Sequence, residues 1–169
     1  MALAAPAPLA RQHRLDGFDC GEATLDEWLT RFARTAHASG SARVYVATEG
    51  GVTVVAYYAL AACQVEAADA LPRLLKGEPA QRAVRAVLLA RLAVDRRYQG
   101  AGVGQALLRD ALLRCVQAAD AIGVRALLVQ AKGDEARQWY ERQGFDPSPT
   151  DPFHLMLLLK DVRAALGER

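Results

Sequence analysis

The segment Val87-Leu-Leu-Ala-Arg-Leu-Ala-Val-Asp95 runs directly into Arg96-Arg-Tyr-Gln-Gly-Ala-Gly-Val-Gly104, and together the two could hold an anion. The first is apolar except for Arg91 and Asp95 and reads as a mostly buried strand. In the second, Gly100, Gly102 and Gly104 allow a tight turn and keep side chains clear of a closely approaching ligand. Gln105-Ala-Leu-Leu-Arg-Asp-Ala-Leu-Leu-Arg114 is then strongly helical in composition. In a strand, glycine turn and helix, free N–H groups and the positive end of the helix dipole converge at the turn. Anionic oxygens, above all those of a pyrophosphate, bind there, and Arg96 and Arg97 add positive charge beside it. A Walker loop is excluded, because Gln105-Ala106 follow Gly104 where Lys and Ser or Thr should stand. A dinucleotide fingerprint is excluded too, by the glycine order and by Asp120 falling at a helix end.

Other groups with chemical potential are fewer. Arg91 interrupts an apolar strand, so it is either in a buried ion pair or facing a ligand. The acids near the central strand are Asp95 and Glu66, and no spacing marks either as a general base. His13, His37 and His154 stand apart and read as surface or packing residues. Cys20, Cys63 and Cys115 form neither a metal-ligand pattern nor a disulfide frame, so no metal is expected.

The elements that must position these groups can be read in order. Leu9–Leu15 is a weak first strand. Leu25, Trp28, Leu29, Phe32, Ala33 and Ala36 make one apolar helical face, with Thr24 and Glu27 as a capping box and Ser39-Gly40 as the stop. Ala42–Thr48 and Val52–Gln64 pair as a hairpin across Glu49-Gly50-Gly51. Residues 66–86 are broken by Pro72, Gly77 and Pro79, with one short helical turn at Leu71–Gly77, and read as a substrate-side flap. A helix from Val103 to about Ala119 buries Val103, Leu107, Ala111, Leu112 and Cys115. Arg125–Ala131 is a buried strand, Glu135–Gln143 a short helix closed by Gly144, Phe153–Lys160 the last strand, and Val162–Leu166 a frayed tail. This order predicts one α+β domain over residues 1–169 with a central, largely antiparallel sheet.

Composition agrees with a soluble globular chain of 169 residues, long enough for a full core. No apolar run approaches the roughly 18 residues of a membrane span, and Met1–Pro8 lacks the basic start of a signal peptide, so a cytoplasmic location is expected. The net charge of +2 is unevenly spread. Residues 73–114 carry nine basic and three acidic side chains, a net +6, against −3 for residues 1–72 and −1 for the remainder. A basic middle on a near-neutral chain suggests a polyanionic partner.

Gln99-Gly-Ala-Gly102-Val-Gly104 resembles the Q/R-x-x-G-x-G/A signature of the GNAT acetyltransferase superfamily, and Ala136-Arg-Gln-Trp-Tyr140-Glu-Arg-Gln-Gly144-Phe145 resembles its A-x-x-F/Y-Y-x-x-x-G-F segment. The resemblance implies a GNAT (acyl-CoA N-acyltransferase) fold, a mixed, mostly antiparallel twisted sheet flanked by helices. It implies that the anion is the pyrophosphate of acetyl-CoA, the cosubstrate, held by Arg96, Arg97, Gln99, Gly100, Ala101, Gly102, Val103 and Gly104. Backbone N–H groups of Leu92, Ala93 and Val94, freed where the strand splays, would hold the thioester oxygen and pantetheine. The implied reaction is direct attack of an amine on the thioester, with Tyr140 as the general acid that protonates the departing thiolate. A phenol of pKa about 10 suits a thiolate of about 8.5 only when the site orients it well.

Phe18-Asp-Cys-Gly21, Leu25-Asp-Glu-Trp-Leu29, Ala42-Arg-Val-Tyr-Val46, Tyr57-Tyr58, Leu89-Ala-Arg-Leu-Ala-Val-Asp95 and Gly144-Phe-Asp-Pro-Ser-Pro149 are similar to the GNAT toxins of bacterial toxin–antitoxin pairs. That resemblance implies acetylation of the amino group of aminoacyl-tRNA, a block of translation, a ribbon-helix-helix antitoxin partner and a homodimer, with the basic segment facing tRNA. Three readings stay open at this level: a toxin of this kind, a stand-alone acetyltransferase of a small amine or protein N-terminus, and a non-catalytic acyl-CoA-binding module.

Overall fold

The computed structural model describes residues 3–79 and 83–167. Residues 80–82 of the 66–86 stretch, among them Arg82 of the basic segment, and the first two and last two residues lie outside the described residues. Seven strands follow the order β1-β2-β3-β4-β5-β7-β6: β1 (Ala7–Pro8), β2 (Arg43–Glu49), β3 (Thr53–Val65), β4 (Val84–Val94), β5 (Ala126–Gln130), β6 (Asp146–Pro147) and β7 (His154–Leu158). β1–β2, β2–β3, β5–β7 and β6–β7 are antiparallel and β4–β5 is parallel, so the sheet is mixed and mostly antiparallel, as expected. Five α-helices accompany it among the described residues. Helix α1 comprises Ala23–Glu27, a π turn at Trp28–Phe32 and Ala33–Ser39; the others are α2 (Pro72–Leu75), α3 (Val103–Ala121), α4 (Asp134–Arg142) and α5 (Leu159–Ala165).

Two compact units divide the chain, one of residues 1–61 and 90–111, the other of residues 62–89 and 112–169. The first has a core of Leu9, Leu15, Phe18, Leu29, Ala33, Val44, Val46, Val54, Tyr57 and Ala93. Here β2 and β3 pair in the predicted hairpin, turning at Gly50 and Gly51 with φ of 68° and 78°. Tyr57 is wholly buried, and its hydroxyl donates to Leu25 O at 2.7 Å, which removes the cost of burying a phenol. The first strand lies earlier than expected, at Ala7–Pro8 rather than Leu9–Leu15. Leu9 N–H still reaches Val44 O at 2.9 Å, but the chain then turns, with His13 N–H donating to Ala10 O.

Helix α1 departs from its sequence pattern twice. The capping box does not form: the helix begins one residue before Thr24, its N-cap is Glu22, and no side chain caps it. Instead Asp26 reaches back to accept the Cys20 N–H at 2.9 Å. The π turn then advances the helical phase, so Phe32 is 50% exposed while Leu29 and Ala33 are buried.

In the second unit Val65, Leu74, Val84, Ala86, Ala126, Leu128, Met156 and Leu158 form the core. Residues 66–79 of the expected flap are anchored there. Leu74 is fully buried on the predicted helical turn, and Arg125 ties it down by donating to Leu74 O, Lys76 O and Glu78 at 2.6, 2.9 and 2.8 Å. Ser148 Oγ donates to Asp69 O at 2.7 Å, and Arg73 pairs with Asp146 and Asp161. The last strand stops at Leu158, and the expected frayed tail is instead α5, with Leu159 and Val162 buried. Its Arg163 donates to Val116 O of α3 at 3.1 Å, tying the two helices together.

Candidate active site

The turn between β4 and α3 has the geometry that its glycines demand. Gly100 and Gly102 adopt φ of 80° and 83°, in the left-handed region that other residues avoid. A Cβ at either would meet nothing within 4 Å, so conformation, not crowding, requires glycine there. Gly104 differs: it sits in the first turn of α3 without a positive φ. Ala106 N–H bonds to Gly102 O at 3.1 Å, so the N–H groups just ahead of it in the first turn have no carbonyl one turn back. Ala101 and Gly102 are exposed and Val103 and Gly104 half-buried, leaving that end of the helix open to an anion.

The residues flanking the turn hold it rather than simply charging it. Gln99 donates from Nε2 to Val94 O at 2.8 Å and Cys20 O at 2.9 Å, closing the end of β4. Asp95, 2% exposed, accepts from Arg97 N–H and Arg97 Nε at 3.0 Å each and from Asp19 N–H at 3.2 Å. Burial pushes the Asp95 carboxyl up, but the bonds from Arg97 and Asp19 outweigh it and hold the pKa below the usual value. Arg96 N–H donates to Asp19 O at 2.9 Å, and Arg96 Nε lies 3.2 Å from Asp19 Oδ1. Both arginines are therefore fixed by an aspartate while their side chains stay more than 60% exposed. The roles of Asp19, Cys20 and Asp95 were missed from sequence. Asp19 and Asp95 are 76 positions apart, so no local pattern links them.

Along β4, the parallel ladder with β5 covers only Val87–Leu89, opposite Leu127–Val129, and β4 continues to Val94 beyond it. Leu92, Ala93 and Val94 lie in this continuation, and Asp95 N–H, just past its end, bonds to Val55 O. The alternatives for Arg91 narrow here. It has no ion pair among the described residues; its guanidinium carbon lies 5.0 Å from the ring centre of Trp28, and its Nε is buried without a hydrogen-bond partner.

Tyr140 lies in α4 of the second unit. The helix ends where Gly144, with φ of 101°, lets Phe145 fold back and donate its N–H to Tyr140 O at 3.1 Å. The phenol ring packs edge-on against Trp139 and the buried Phe145, with centres 4.9 and 5.4 Å away. Among the described residues nothing hydrogen-bonds to its hydroxyl, and burial pushes its pKa up to about 12. A group so placed stays protonated through the physiological range and has a proton to offer. A cleft of about 220 Å³ in the same unit, bordered by Arg125, Lys160 and Arg163, includes none of the predicted site residues.

His13 and His37 are structural, each accepting a backbone N–H at Nδ1, from Ala10 at 2.9 Å and Val44 at 3.0 Å. Cys20, Cys63 and Cys115 are free thiols. Among the described residues there is no cluster of metal-ligating side chains, and no helix is long and apolar enough to cross a membrane.

Comparison with known proteins accords with this geometry. A family model described as an acetyltransferase (GNAT) domain matches residues 40–147. The chain is 48% identical to a tRNA-acetylating toxin of Mycobacterium tuberculosis over 97% of each chain. It superposes on the structure of AtaT complexed with acetyl-methionyl-tRNAfMet with a TM-score of 0.89, at 26% identity over 98% of this chain and 99% of that one. A tyrosine-to-phenylalanine variant of AtaT, bound to acetyl-CoA and the C-terminus of the antitoxin AtaR, gives 0.83 at 26% identity with the same coverages. With its strand, glycine turn and helix matched by family model and fold alike, the chain belongs to the GNAT acetyltransferase family.

Proposed function

We propose that this chain, residues 1–169 working as one catalytic domain, moves an acetyl group from acetyl-CoA to the amino group of aminoacyl-tRNA and thereby blocks translation as a toxin. The observation that carries the reading is the 48% identity, along nearly the whole of both chains, with a tRNA-acetylating toxin. In this reading N–H groups from Gly100 to Gly104 receive the pyrophosphate, Arg96 and Arg97 add charge, and Gln99 keeps the turn closed on β4. Leu92, Ala93 and Val94 offer main-chain N–H groups to the thioester oxygen and pantetheine, beyond the ladder with β5. The neutral amine attacks the thioester carbon; the C–S bond breaks as the C–N bond forms, Tyr140 donates its proton to the departing thiolate, and the proton released by the attacking nitrogen passes to solvent, from which the phenolate is reprotonated.

The same reading includes a cytoplasmic setting, a homodimer and neutralisation by a ribbon-helix-helix antitoxin, the last supported by AtaT structures that contain AtaR. Incubation with labelled acetyl-CoA and total charged tRNA tests it. Label is expected on the aminoacyl end of tRNA; label found only on polyamines or protein would replace this reading with that of a stand-alone acetyltransferase.

A further inference from the structure

Arg91 is the residue whose surroundings the fold leaves incomplete. A guanidinium brings five N–H donors in a fixed fork and is always charged. At Arg91 that group is half-buried, Nε has no acceptor, and the guanidinium meets no carboxylate among the described residues. Nearby acids are engaged elsewhere: Asp95 by Arg97 and Asp19, Asp26 by the Cys20 N–H. A desolvated cation without a counter-charge is costly, so the sequence gains nothing from it in the free protein.

The cation is nonetheless carefully held. Its guanidinium lies over the ring of Trp28, and Trp28 stacks on Tyr57 at 6.0 Å and 11°. Tyr57 is pinned through its hydroxyl to Leu25 O, and Phe18 meets it edge-on at 5.6 Å. The π turn of α1 begins at Trp28, an irregularity common at functional positions. Trp28 orients Arg91. Arg91 also immediately precedes Leu92–Val94, and with a strand rise of about 3.3 Å per residue it starts within a few ångströms of those N–H groups.

We infer that Arg91 is the acceptor-side anion clamp: its unused N–H fork takes the phosphodiester on the 5′ side of the terminal adenosine that carries the aminoacyl group. This rests on the aminoacyl-tRNA reading above. An aminoacyl ester has no carboxylate of its own, so that phosphate is the anion nearest the reacting amine. Binding supplies the missing counter-charge, and the clamp sets the amine's approach to the thioester.

Two stable acceptors that differ only by this group provide the test: 3′-aminoacylamino-3′-deoxyadenosine with and without a 5′-phosphate, assayed beside charged tRNA. In the unsubstituted enzyme the phosphate is expected to lower KM. Arg91→Gln is expected to raise KM about tenfold or more for the phosphorylated acceptor and for tRNA. It should leave the unphosphorylated acceptor and the KM for acetyl-CoA nearly unchanged. The slope of log KM against log salt for tRNA should fall by about 0.7–0.9, one phosphate contact. Arg91→Lys, which keeps the charge without the fork, should fall between the two and guards against a folding defect in Arg91→Gln. Equal losses on both small acceptors, or an unchanged salt slope, would overturn the inference while leaving the acetyltransferase reading intact. No transfer to charged tRNA by the unsubstituted enzyme would overturn both.

Discussion

The Tyr140 hydroxyl makes no hydrogen bond among the described residues, so its removal should cost almost nothing in stability while removing the proposed proton donor. Tyr140→Phe is therefore expected to leave the melting temperature and acetyl-CoA affinity nearly unchanged and to slow transfer by about 10²–10⁴-fold. Full activity in the folded variant would remove Tyr140 from the chemistry. Because burial raises its pKa to about 12, the rate should also show no descending limb from this group up to about pH 10. Asp95 is the converse case. It touches no substrate in this reading, yet Asp95→Asn deletes the charge that four N–H groups from Arg97 and Asp19 converge on. A destabilisation of about 1–3 kcal/mol by urea melts is expected, together with weaker acetyl-CoA binding as the turn loosens. Unchanged stability would mean that Asp95 does not organise the turn. The sequence offers Tyr140 as a candidate because its signature is local, whereas the place of Asp95 in the turn could not be read, because its partner Asp19 comes from a distant loop.

Within the turn, two glycines that look alike in sequence do different work. Gly102 needs φ of 83°, which costs an L-residue roughly 1–2 kcal/mol, whereas Gly104 is helical and carries no such demand. Gly102→Ala is thus expected to weaken acetyl-CoA binding and lower stability together. Gly104→Ala should hold or raise stability, since alanine favours a helix by about 1 kcal/mol, and any loss of affinity would then report close approach of the ligand. Calorimetric affinity beside thermal melts separates the two; equal behaviour of the pair would contradict the assigned geometry. The β2–β3 hairpin, β4, α3 and the short turn α2 were legible because pattern, glycine and proline all agreed locally. Helix α1 was read correctly as an element but not in detail. Its start is set by Asp26 reaching to Cys20, and its phase by a π turn, neither of which follows from periodicity. The anchoring of residues 66–79 could not be read, because Arg125 and Ser148 come from elsewhere in the chain.

Charge and pH act on the molecule as a whole. Much of the basic middle is already answered within the fold: Arg73 by Asp146 and Asp161, Arg96 by Asp19, Arg97 by Asp95. Arg91, which has no ion pair among the described residues and a buried Nε without a partner, is the cation on which the acceptor argument rests. Two histidines give the chain a separate sensitivity to acid. His13 and His37 each accept an N–H at Nδ1, a bond that a protonated ring cannot make. Both pKa values are lowered, by burial first and then by Arg34 beside His13 and Arg43 beside His37. The unfolded chain therefore takes up protons near pH 6.5 before the folded one does, so stability is fully present above that pH and declines as pH falls through it. Urea midpoints should drop between pH 7.5 and 5.5, well above the range where Asp95 begins to titrate. The amides of Ala10 and Val44 should be among the first to lose protection from hydrogen exchange, because protonation breaks their bonds directly. Replacing both histidines with asparagine should flatten the pH dependence; if the midpoint falls as steeply in that double variant, the acid sensitivity lies in other groups and the two rings are only packing.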